Sequence, residues 1–201
     1  MLRKDNWFIP GWIYLFALYF LNKVLPKAWG AENSAFENIQ LVFLIAGFGW
    51  CAKMLGEKLP DWGGDQKALW QAGMIFFFLL FARELSWGRV FFIDAAGRIA
   101  DYSIYGPHGK TIVHGLVGVL TLGMLYLLYK AKVWNYLKLT KIPDKNFTLL
   151  LLFIAVFWVG EKGKYPSFHG DLAEELAEMG AYMMMFYLLR ESTEYMKTLK
   201  K

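Results

Sequence analysis

The chain has 201 residues, of which 57% are hydrophobic and 19% charged, with a formal charge of +5. Soluble domains run at about 45–50% apolar and about 25% charged, so this composition argues against an ordinary soluble fold. The basic residues lie between apolar runs, which argues against nucleic acid and for topology signals and lipid phosphates. The single cysteine, Cys51, excludes an internal disulfide and any Cys-based metal motif.

Six apolar runs predict an all-α polytopic membrane protein: a single transmembrane domain of six helices over 1–201. The first helix, over 7–25, follows Arg3-Lys4 and is closed by Pro26; its length and aromatic content read as a retained helix rather than a signal peptide. The second, over 38–55, is entered through the acidic stretch Glu32-Asn-Ser-Ala-Phe-Glu37. A polar turn with Pro60 and Gly63-Gly64 leads to the third, over 68–87. A longer connection precedes the fourth, over 111–129, and a basic link with Pro143 precedes the fifth, over 146–160. A short loop with His169 leads to the sixth, over 172–189.

Lys and Arg set the expected orientation. Fourteen lie at the two ends of the chain and in the second–third and fourth–fifth links; the other three connections hold eight. The positive-inside rule then places both termini in the cytoplasm of a bacterial inner membrane. With that orientation the conspicuous polar residues meet at the outer-leaflet end of the bundle. Glu84 and Ser86 end the third helix, His114 starts the fourth, and His169, Glu174, Glu175 and Glu178 surround the start of the sixth.

Glu84 sits at a helix carboxyl end, where the dipole disfavours an acid. It pairs with Arg83 or Arg89, or it works. Asp171 and Glu174 read as a helix cap, whereas Glu178 lies about 9 Å deeper along the helix and an ionisable group at that depth pairs or functions. Arg83 and Arg89 are either interfacial anchors or a guanidinium fork for a phosphate. The stretch Gly106-Pro-His-Gly-Lys-Thr111 ends like a phosphate loop, but Ile104 stands where the motif needs a glycine.

Glu84-Leu-Ser-Trp-Gly88 resembles the Glu-[Ile/Leu]-Ser-Trp-Gly-Gln signature of a group of uncharacterised bacterial multi-span membrane proteins. The acidic entry at 32–37, His114-Gly115 and Glu174-Glu175-Leu-Ala-Glu178 are similar to further features of that group, while Arg83, Arg89 and Gly115 depart from it. The resemblance implies site residues and no activity.

The leading expectation is a metal-dependent hydrolase or transferase acting on a lipid or lipid-linked substrate. Glu84, Ser86, His114 and Glu178 are its catalytic candidates, and Arg83 and Arg89 hold the substrate. Glu84, His114, His169, Glu175 and Glu178 are the candidate ligands of a divalent Zn²⁺, Mn²⁺ or Fe²⁺, the hard-ligand choice. Haem between His114 and His169 ranks last. The alternative is a non-catalytic membrane subunit or transporter, with a proton- or cation-binding carboxylate cluster and a membrane-protein partner or second copy.

Overall fold

A computed structural model of the chain describes residues 8–30, 35–92, 99–141, 145–161 and 170–199. Among these the protein is all-α, with seven α-helices and no strand. They are α1 (Phe8–Val24), α2 (Ala35–Met54), α3 (Gln66–Glu84), α4 (Gly109–Lys130), α5 (Val133–Leu139), α6 (Lys145–Glu161) and α7 (Asp171–Thr198). Short 3-10 turns occupy Lys27–Gly30, Ser86–Phe91 and Tyr102–Tyr105. A helix stands in each of the six stretches read from the apolar runs. The short α5 lies in what reads as a basic link, and α3 stops at Glu84 instead of running on to 87.

Among the described residues two helices can cross a membrane by length and composition: the one ending at Met54, with mean hydropathy 1.4, and α4, with 1.9. None of the apolar window of α4 is buried, and Ile112, Leu116, Val119 and Leu122 along it are exposed. Water penalises such a surface at roughly 25 cal/mol per Å², so a helix this apolar calls for a non-aqueous neighbour.

The chain groups into two compact units, 1–46 with 136–201 and 47–135. The first is built on α1, α6 and α7. Its core joins Leu18 to Leu149, Leu150 and Phe153 and to Leu172, Leu176, Ala177 and Met184. A Cβ on Gly180 would occupy the place of the Phe153 ring, so glycine is what lets α6 seat against α7. The Tyr14 hydroxyl donates to Leu176 O at 2.7 Å, tying α1 to the amino-terminal part of α7. Gly30 meets the backbone of Leu172 and leaves no space for a side chain.

The second unit is built on α3 and α4, which run antiparallel. At one end Asp65 caps α3 by accepting from Ala68 N at 3.1 Å, and Lys130 at the end of α4 reaches its other oxygen at 2.9 Å. Beside them the indole of Trp62 donates to Ala131 O at 2.8 Å. The opposite end of this helix pair holds the Glu84 stretch.

Candidate functional site

α3 ends because the chain turns left-handed directly after it. Ser86, Trp87 and Gly88 have φ of 46°, 60° and 85°. Only glycine takes this region freely; a bulky residue there is an outlier costing roughly 1–2 kcal/mol. Strain of this kind persists where the surroundings over-determine it, and it concentrates at functional sites.

Three consecutive carbonyls of the turn each receive a donor. Gly88 N donates to Leu85 O at 2.7 Å, Arg89 Nε to Ser86 O at 3.0 Å, and the Tyr105 hydroxyl to Trp87 O. The turn is therefore locked by its own arginine and by the 3-10 turn that follows it in the chain.

Arg89 is the hub. A second nitrogen of its guanidinium donates to Ala100 O at 3.2 Å, and its Cζ lies over the Tyr102 ring, 4.3 Å from the centroid. The Tyr102 ring in turn meets the edge of His114 at 5.8 Å between centroids. Asp101 caps the Tyr102–Tyr105 turn by accepting from Ser103 N at 2.6 Å. The hydrogen bonds from Ser103, helped by the nearby Arg89 charge, hold its carboxyl below the usual carboxylate range. Gly106, at φ 91°, then directs the chain into α4. A cleft of about 380 Å³ opens here, lined by Asp101, Tyr102, Ser103, Pro107, Gly109 and Lys110.

Glu84 has a side chain only 7% exposed, 3.3 Å from an Arg83 nitrogen. The pair read from sequence is thus present, with Arg83 as the partner. Ser86, Arg89 and His114 share the unit with Glu84, and Arg89 is joined to His114 through Tyr102. Glu175 and Glu178 belong to the other unit. There Glu178 is buried in α7, and Glu175 accepts from the Gln40 amide of α2 at 2.7 Å. His169 lies outside the described residues. Among the described residues no three His, Cys, Asp or Glu side chains gather where they could hold one metal ion.

Reading the sequence missed Tyr102, Tyr105 and Gln40. The signal for the tyrosines was present in Asp101-Tyr-Ser-Ile-Tyr105: a cap residue followed by aromatics three apart. Gln40 carries no such mark, because a single amide inside an apolar helix has many structural explanations.

Comparison of the chain with known protein families, with characterised proteins and with solved structures finds no match.

Proposed function

We propose that the protein is a multi-pass membrane protein of the bacterial inner membrane that recognises the anionic head group of a lipid or lipid-linked substrate at the end of α3 and the start of α4. The observation that carries this reading is the preorganised Arg89. Two carbonyls and an aromatic face fix its plane, and donors of the guanidinium remain over for a ligand. Lys110 lines the cleft at the amino end of α4, where backbone N–H groups and the helix dipole also favour an anion. The long exposed apolar face of α4 supports the membrane setting, and the resemblance of Glu84–Gly88 to a multi-span signature accords with it.

The reaction class best suited to these residues is hydrolysis or transfer at a phosphate or acyl centre. Glu84 and His114 serve as acid and base, or as ligands of a divalent ion whose remaining positions a substrate phosphate and water fill. Ser86 is the nucleophile candidate, presented on the strained turn.

The test is native mass spectrometry of the protein released from nanodiscs that contain equal amounts of a phosphomonoester lipid and a zwitterionic lipid. Preferential retention of the anionic lipid, weakened about tenfold by Arg89→Gln (roughly 1.4 kcal/mol), is expected. Equal retention of both lipids, or no change in the variant, would overturn the reading.

A further inference from the structure

The cleft at the start of α4 offers both donors and acceptors. Lys110 lines it, is exposed and can only donate. His108, the N-cap of α4, gives the first turn no side-chain acceptor, so amide donors of that turn are left for a ligand or water. Asp101 and Ser103 also line the cleft and are exposed. Asp101 accepts from Ser103 N at 2.6 Å and from the Ser103 hydroxyl, which orients the carboxylate and leaves the serine oxygen as an acceptor. Two of the roughly four lone-pair sites of the carboxylate are then used, and the others remain.

The charge of Asp101 is out of place in a site for a bare phosphate. Capping does not require it, since asparagine or serine caps about as well. A phosphomonoester carries about −1.5 to −2 at neutral pH and presents mainly acceptors, so Asp101 and Ser103 would meet it with like charge and no donor. A phosphate with hydroxyls beside it satisfies both sets of groups. Lys110 and the nearby Arg89, set against Asp101, leave one positive charge, the complement of a phosphodiester. An amine-bearing phosphodiester is neutral overall and leaves that charge unmatched. A serine head group adds a carboxylate, one more acceptor. The cleft, at about 380 Å³, lies near the small end of ligand pockets, about 300–1,000 Å³, and suits one head group. Ile112 and Leu116 follow on α4, both exposed, and give acyl chains an apolar surface beside it.

We propose that this cleft selects a polyol phosphodiester lipid, with a head group of the glycerol or inositol kind. Lys110 holds the phosphate, and Asp101 and Ser103 accept from the hydroxyls. The inference rests on the head-group reading and narrows it to one class of lipid.

The experiment is native mass spectrometry of the full chain released from nanodiscs with equal amounts of phosphatidylglycerol, phosphatidylinositol, phosphatidic acid, phosphatidylserine and phosphatidylcholine. At least one of the two hydroxylated lipids should be retained about tenfold above each of the other three. Asp101→Asn keeps a capping side chain. It should cut that retention about tenfold and raise retention of phosphatidic acid, because the opposing charge is gone. Phosphatidic acid or phosphatidylserine retained as well as both hydroxylated lipids would overturn the proposal. So would an Asp101→Asn variant that loses every lipid equally, as a merely structural role would, or one that changes nothing. If circular dichroism shows that Asp101→Asn fails to fold, Ser103→Ala, which keeps the backbone donor to Asp101, is read for the same loss of hydroxylated lipid. Phosphatidic acid retained above phosphatidylcholine would leave the head-group reading standing when this inference fails; no anionic lipid retained above phosphatidylcholine would overturn both.

Discussion

The guanidinium carbon of Arg89 lies over the Tyr102 ring, 4.3 Å from its centroid, while two of its nitrogens donate to the carbonyls of Ser86 and Ala100. A lysine reproduces the charge but neither the plane nor the fork. Arg89→Lys is expected to lower stability by about 2 kcal/mol, from a stacking interaction of about 0.5–1 kcal/mol and charged hydrogen bonds of about 1.5–3 kcal/mol partly replaced. Thermal unfolding in detergent reads the loss. A midpoint within error of the unaltered protein would show that Arg89 does not organise the turn.

Two glycines give opposite expectations. Gly88 has φ of 85°, and a Cβ there would come within 3.2 Å of the Tyr105 hydroxyl that braces the turn. Gly88→Ala is expected to destabilise by roughly 1–2 kcal/mol. Gly118, inside α4, has open space around its missing Cβ. Gly118→Ala should raise stability by up to about 1 kcal/mol through helix propensity. Thermal scans of both in one detergent check the pair. If they shift in the same direction, the left-handed turn is not limiting.

These two positions also show what the sequence made legible. The apolar runs place six of the seven helices, because an apolar stretch between polar breaks has few alternatives. The same logic runs α3 on to 87, since nothing in Leu85-Ser86-Trp87 forbids a helix. The left-handed turn is held by side chains beyond that tripeptide, Tyr105 on Trp87 O and Arg89 on Ser86 O. Glu84 and Glu178 stand out in sequence because charge is rare in apolar helices. Tyr102 and Gln40 do not, because an aromatic in a connection and one amide in a helix are ordinary until their partners are known.

At the other end of the helix pair, Asp65 combines a cap with an ion pair. The hydrogen bond from Lys130 is the largest influence on its carboxyl, followed by that from Ala68 N, and together they hold it below the usual carboxylate range. The sign follows: a group whose folded pKa is depressed adds stability above its unfolded pKa, near 3.8, and loses it as pH falls through the lower folded value. Stability should therefore decline between about pH 4 and more acid conditions, and Asp65→Ala should remove this component together with about 1 kcal/mol of cap. Asp65→Asn keeps a capping side chain and should lose mainly the acid sensitivity. Unfolding midpoints measured from neutral to acid pH separate the three proteins; identical slopes would rule the Asp65–Lys130 pair out as a source of acid sensitivity.

The metal-dependent form of the catalytic proposal can be tested apart from lipid binding. Two protein groups, Glu84 and His114, suffice for an ion that a substrate phosphate and water complete, and a carboxylate–imidazole pair suits Zn²⁺, Mn²⁺ or Fe²⁺. Elemental analysis of protein purified in mild detergent, with bound anionic lipid retained, should find one of these metals near stoichiometry. Glu84→Ala and His114→Ala should each abolish the near-stoichiometric retention, since loss of a direct ligand costs more than the roughly 10–100-fold in affinity that follows loss of a supporting group. The burial of Glu84, at 7% exposure beside Arg83, sets the competing expectation: a carboxylate engaged in holding the structure would bind no metal, and both variants would match the unaltered protein. In that case the metal-dependent reading falls. Of the enzyme reading only Glu84 and His114 as acid and base would remain, and anionic-lipid retention that still depends on Arg89 would leave the head-group site standing.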